Sequence, residues 1–139
     1  MKAPAVADPA LQRLRLPSLV GLKSCLEAKD WTALARALDL PSVWVFDRPL
    51  AVAAAVDLLG EIFAGAEDLK LLVTAVRHWE TRGDEIRASF VSCLMWGEAG
   101  TWAEHEFEFD LHLGSLARAD GGWRVSYLGL TAATPEPAR

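Results

Sequence analysis

Two side chains carry the first chemical reading. Asp47 closes the stretch VWVFD, after which RPL leads into a long apolar helix. A carboxylate at the end of a strand can act as a general base. Ahead of a helix it can instead cap the first turn and meet the positive end of the dipole. His105 lies in WAEHEFEFDLHL, on the same side of the alternation as Phe107 and Phe109. An imidazole among apolar neighbours needs a hydrogen-bond partner, and it titrates near neutral pH. One site follows from these residues: Asp47 as base, His105 as its acid–base partner, and Arg77 or Tyr127 as donor to a developing oxyanion. The structural alternatives are a helix cap for Asp47, a satisfied core or rim imidazole for His105, and a strand-end arginine for Arg77 whose head reaches water.

Other chemistries find less support. Cys25 and Cys93 are the only cysteines, with no CxxC spacing and no Cys/His cluster, so no metal site is indicated and both read as small buried hydrophobes. Glu104, Glu106, Glu108, Asp110 and His112 alternate along one strand face. Neighbours on such a face are about 6.8 Å apart. With Arg87 and Arg124 expected opposite, the stripe reads as a solvated surface with cross-strand ion pairs rather than as a cation site. The net charge of −5 repels phosphate backbones, which argues against nucleic-acid binding. No cofactor is implied.

The elements that must position these residues follow from periodicity. With 52% apolar residues in 139, one domain with a real core is expected, residues 1–9 and 134–139 being loose tails. No apolar run has the length of a membrane span or of a signal-peptide core, so the chain reads as cytoplasmic. DPALQRLRL predicts a short helix, SLVGLKSCLEA a second, and DWTALARALD a third with Asp30 as its N-cap. SVWVF predicts a strand and PLAVAAAVDLLGEIFAG a buried helix. From residue 69 the period becomes two: LKLLVTAVRHWE, EIRASFVSCLMW, WAEHEFEFDLHL and WRVSYLGLT predict four antiparallel strands. The class is α+β, a cone-shaped curved antiparallel sheet with helices on its concave face.

The clean alternation of the third long strand sets the inward face as Ala103, His105, Phe107, Phe109, Leu111 and Leu113. Carried across the turns, that face takes in Trp96, Leu94, Ser92, Phe90 and Ala88, then Trp79, Arg77, Ala75 and Val73. In the last strand Trp123, Val125 and Tyr127 are the natural inward set, leaving Leu128 and Leu130 outside beside Val91, Cys93 and Met95. A bulge would shift these assignments.

Over residues 17–132 the order of elements resembles the nuclear-transport-factor-like, cystatin-like cones, which include ketosteroid isomerases and SnoaL-type cyclases. CLEAKDWTALARALDLPSVWVFD resembles the family's two helices and first strand. FDLHLGSLARADGGWRVSYLGL resembles its last hairpin. The resemblance implies a pocket inside the cone and a base at Asp47, where ketosteroid isomerases carry an aspartate. It does not imply steroid isomerisation. The first helix has no tyrosine, and Phe107 and Phe109 stand where a second aspartate is needed. An epoxide-hydrolase type of site would find two of its three members in Asp47 and Arg77.

The function expected is therefore binding, or lyase- or isomerase-like turnover, of a small apolar molecule. Arg77, Trp79, Trp96, Phe107, Phe109 and Tyr127 would contact it. The alternative is a non-catalytic binding or dimerisation module whose cone is filled by its own aromatics. An apolar outer patch of Val91, Cys93, Met95, Leu128 and Leu130 predicts a homodimer through the outer sheet face.

Overall fold

The computed structural model describes residues 16–133, and all structural statements concern these residues. The two tails and all but the last residue of the helix expected over 8–16 lie outside them. The elements run α1 (Pro17–Glu27), α2 (Trp31–Ala37), β1 (Val43–Val45), β2 (Arg48–Leu50), α3 (Val52–Ile62), β3 (Ala66–Arg82), β4 (Glu85–Glu98), β5 (Glu104–Ala117) and β6 (Trp123–Ala132). The class is α+β, as the periodicity predicts. The strands form one curved sheet in the order β2-β1-β6-β5-β4-β3. It is mixed rather than wholly antiparallel, because β1 runs parallel to β6.

Local chemistry explains several boundaries. Asp30 caps α2 by accepting a hydrogen bond from the Ala33 N–H at 3.1 Å. Lys29 precedes it at φ 54° and donates to the carbonyls of Phe63 at 3.2 Å and Ala66 at 2.9 Å. That ammonium takes up main-chain acceptors at the end of α3 and ties the α1–α2 corner to the start of β3. Leu19, Leu22, Leu34, Leu38, Val56 and Phe63 from the helices meet Leu71, Phe90, Leu94, Phe109, Leu111 and Leu113 from the sheet in one core.

Residues 42–50 fold differently from the expected strand and helix start. Phe46 and Asp47 form a two-residue turn between β1 and β2, which pair antiparallel. Pro49, read as the opening of a helix, lies in β2 at the sheet edge, where a missing N–H forfeits little of the ladder. Helix α3 starts later, with Ala51 at its cap position and no side-chain cap. Asp47 therefore caps no helix, and it is exposed.

The expected faces hold throughout β4 and β5, where His105 pairs with Trp96, Phe107 with Leu94 and Phe109 with Ser92. They fail in β3 and β6 because both strands carry bulges. In β3 the register slips between Val73 and Ala75 and again between Val76 and His78. Thr74 and Arg77 are the extra residues. Val76, not Ala75 or Arg77, faces inward opposite Phe90, and the second bulge restores the phase so that Trp79 is again inside. In β6 the slip falls at Ser126, between the pairs Gly114–Tyr127 and Ser115–Val125. Tyr127 is thereby turned to the outer face, and Leu128 and Leu130 are turned inward opposite Leu113 and Leu111. The expected outer apolar patch loses both leucines. No helix among the described residues is long and apolar enough to cross a membrane.

Candidate functional site

Between the helices and the concave sheet face lies a cavity of about 500 Å³. Leu22 and Leu26 of α1, Leu34 and Leu38 of α2, and Ala55, Val56 and Leu59 of α3 form one side. Leu94, Trp96, Phe107, Phe109, Leu111, Leu128 and Leu130 form the other. The cone is thus open. Of the six tryptophans only Trp96 and the half-exposed Trp44 border the cavity, while Trp79 packs edge-on against Phe90 with ring centroids 6.5 Å apart. Trp102 is fully exposed.

The more exposed wall residues are Leu58 and Ile62 of α3, Phe107 and His105 of β5, and Trp44 of β1, so the mouth lies between α3, the start of β5 and the β1–β2 hairpin. Among the described residues, His105 and Glu106 are the titratable ones bordering the space. Glu106 pairs with Met95 on the outer side of the sheet, which leaves His105 as the one titratable side chain on the inner face there. Its ring stacks on Trp96 at 5.5 Å and 25°, and its Nε2 is 3.7 Å from a Glu98 carboxylate oxygen.

Trp96, Phe107, Phe109 and His105 are therefore brought together in one space, as the alternation predicts. Asp47 is not among the lining residues; it lies exposed in the hairpin turn. Arg77 and Tyr127 are on the outer face, and Trp79 lies behind Phe90 rather than on the cavity. Sequence reasoning missed Leu128 and Leu130, which it placed on the outer face. The signal was present in WRVSYLGL, where two apolar sets of opposite phase, Trp123–Val125 and Leu128–Leu130, meet at Ser126. A phase break within one strand marks a bulge.

Phe46 has a backbone cost of its own. Its φ of 56° is unusual for a bulky residue and costs about 1–2 kcal/mol. Its ring meets Phe107 edge-on at 5.8 Å, a contact worth about 0.5–1.5 kcal/mol. The ring also buries apolar surface against the core, so its loss costs more than relief of the φ returns. We expect Phe46→Gly to be less destabilised than Phe46→Ala, because glycine alone accepts this φ without strain, and both to speed release of a bound dye in stopped-flow experiments. A Phe46→Gly protein less stable than Phe46→Ala would show that the turn is not strained.

The outer face holds a second, more polar hollow of about 500 Å³, bordered by Trp44, His78, Glu80, Arg87, Ser89, His112, Tyr127 and Thr131. The Ser89 hydroxyl is 2.8 Å from Nδ1 of His112, and the Thr131 hydroxyl is 2.8 Å from Nε2. The Arg87 guanidinium lies over the Tyr127 ring at 5.3 Å and pairs with Glu85 at 3.3 Å. The expected solvated stripe is thus only partly solvated. Asp110 is buried and pairs with Arg77 at 2.9 Å, and His112 is half-buried. The register sets Arg87 opposite Gly114 and Arg124 opposite Leu116, away from Glu104, Glu106 and Glu108 of β5. Among the described residues no cluster of His, Cys, Asp and Glu has the makings of a metal site.

Burial pushes the His112 imidazole below its usual value of 6.5, and the nearby Asp110 charge only partly opposes this. The unfolded chain therefore takes up this proton first as pH falls below about 6.5, and stability is lost from there down to the folded value. We expect unfolding free energy to decline over that range in urea titrations. In His112→Gln, which keeps hydrogen-bonding groups at this position, the decline should be shallower. An unchanged slope would remove His112 as its source. Glu85 is held below its usual value of 4.5 chiefly by the Ser126 hydroxyl at 2.5 Å, so its contribution is lost only below about pH 4.5.

No family model matches the sequence, and no curated protein matches it. Solved structures do resemble the fold. A nuclear transport factor 2-like superfamily protein from Salmonella enterica has a TM-score of 0.66 at 12% identity, over 94% of this chain and 96% of that one. ActVI-ORFA from Streptomyces coelicolor has a TM-score of 0.69 at 14% identity, over 94% and 100%. A ketosteroid isomerase-like protein from Erwinia carotovora has a TM-score of 0.61 at 12% identity, over 89% and 98%. At such identities the likeness concerns fold and not activity. The chain has the cone-shaped α+β fold of these nuclear-transport-factor-2-like structures.

Proposed function

We propose that this chain binds a small hydrophobic molecule inside the cone. The observation that carries the reading is a cavity of about 500 Å³ walled almost wholly by aliphatic and aromatic side chains, with His105, among the described residues, as the one inward titratable group at its mouth. That volume suits a drug-sized apolar molecule. Burial of such a molecule is driven by removing apolar surface from water, at about 25 cal/mol per Å². A reaction needing a buried base and an oxyanion donor has little to draw on, because Asp47, Arg77 and Tyr127 are elsewhere. Binding is accordingly favoured over turnover.

A neutral solvatochromic dye such as Nile red tests this. Wild type should bind it with a blue-shifted emission and micromolar or tighter affinity. Leu111→Trp fills the cavity from the sheet side and Ala55→Phe from the helix side, and each should weaken binding at least tenfold. No dye binding by folded wild type, or unchanged affinity in both folded variants, overturns the reading. Sheet-to-sheet pairing of two copies remains a proposal on a smaller apolar patch, Leu72, Val91 and Met95, and light scattering at micromolar concentration tests it.

A further inference from the structure

The cavity mouth carries information about the polar end of its occupant. We infer that the ligand is an uncharged apolar alcohol or phenol whose hydroxyl donates to Nδ1 of His105, and that carboxylates such as fatty acids are excluded. This deepens the cavity reading above and rests on it.

Three observations lead there. Among the described residues no lysine or arginine borders the cavity, so none of them offers a ligand carboxylate a counter-charge. The carboxylate nearest the inward imidazole is Glu98, 3.7 Å from Nε2, and it repels a second anion at the same place. Of the two neutral tautomers, this geometry favours the one with the proton on Nε2, facing the carboxylate, which leaves the Nδ1 lone pair as the ring's acceptor. An acceptor calls for a donor on the ligand, which a hydroxyl has and an ether or ionised acid lacks. The stack on Trp96 at 5.5 Å fixes the ring plane, so this acceptor is presented in one orientation rather than swept through solvent.

Three matched probes test the inference by displacement of Nile red at pH 8: biphenyl-4-methanol, its methyl ether, and biphenyl-4-carboxylate. The alcohol should bind about 3- to 10-fold more tightly than the ether, the range of one net hydrogen bond, and at least tenfold more tightly than the carboxylate. His105→Phe should abolish the preference for alcohol over ether, and His105→Gln, whose amide oxygen accepts, should restore part of it. A carboxylate that binds as well as the alcohol, or an alcohol preference that survives in His105→Phe, overturns this inference while leaving the hydrophobic-binding reading intact. If Nile red itself does not bind, both fall together.

Discussion

Replacing Arg77 by methionine should destabilise the fold by about 3–5 kcal/mol, the range for removing one partner from a buried ion pair. Asp110 is 2% exposed and sits on the outer face of β5. The Arg77 Nε donates to its carboxylate at 2.9 Å, reaching from β3 past β4. Methionine keeps most of the arginine's apolar stem but withdraws the guanidinium from a carboxylate that water scarcely reaches. The double variant Arg77→Met with Asp110→Leu should recover most of the loss, because it removes both charges and their desolvation cost. Urea unfolding of the two single variants and the double measures this. A loss below about 1 kcal/mol in Arg77→Met would mean that the pair contributes no more than an exposed one.

The second large effect is expected at Gly114. A Cβ there would stand 2.6 Å from the Ser126 hydroxyl, 3.0 Å from the Tyr127 Cβ and 3.2 Å from the Tyr127 nitrogen. The hydroxyl can rotate away, but the backbone of the bulge cannot. Gly114→Ala should cost about 1–3 kcal/mol and Gly114→Val at or above the top of that range. The bulge is also what turns Leu128 and Leu130 into the cavity, so dye affinity should fall with stability. Gly97→Ala, with no neighbour nearer than 3.8 Å, should be close to neutral and serves as the control. Thermal unfolding of the three variants is sufficient. A Gly114→Val protein as stable as wild type would show that β6 readily gives up its bulge.

The placement of the outward tyrosine depends on the same geometry. The Tyr127 ring lies across Gly129, where a Cβ would be 2.8 Å from its hydroxyl. Glycines at 114 and 129 thus let the ring lie down on the sheet under Arg87.

What the sequence determines by itself here is whatever depends on a few neighbouring residues. Alternation in WAEHEFEFDLHL is long and unbroken, so it sets which side chains of β5 face the core, and a short turn carries the same face to β4. Asp30 caps α2 because its carboxylate needs only an N–H three residues on. The tertiary structure decides what depends on a partner strand or on the spacing of layers. A bulge is a property of a pair of strands: Thr74, Arg77 and Ser126 become extra residues only against the opposing register of β4 and β5. One residue of slip moves every following side chain to the other face, so Arg77 and Tyr127 leave the interior and Leu128 and Leu130 enter it. Whether tryptophans plug the cone is set by how far the helices stand from the sheet. That distance is the sum of many packing contacts, and no short stretch of residues encodes it.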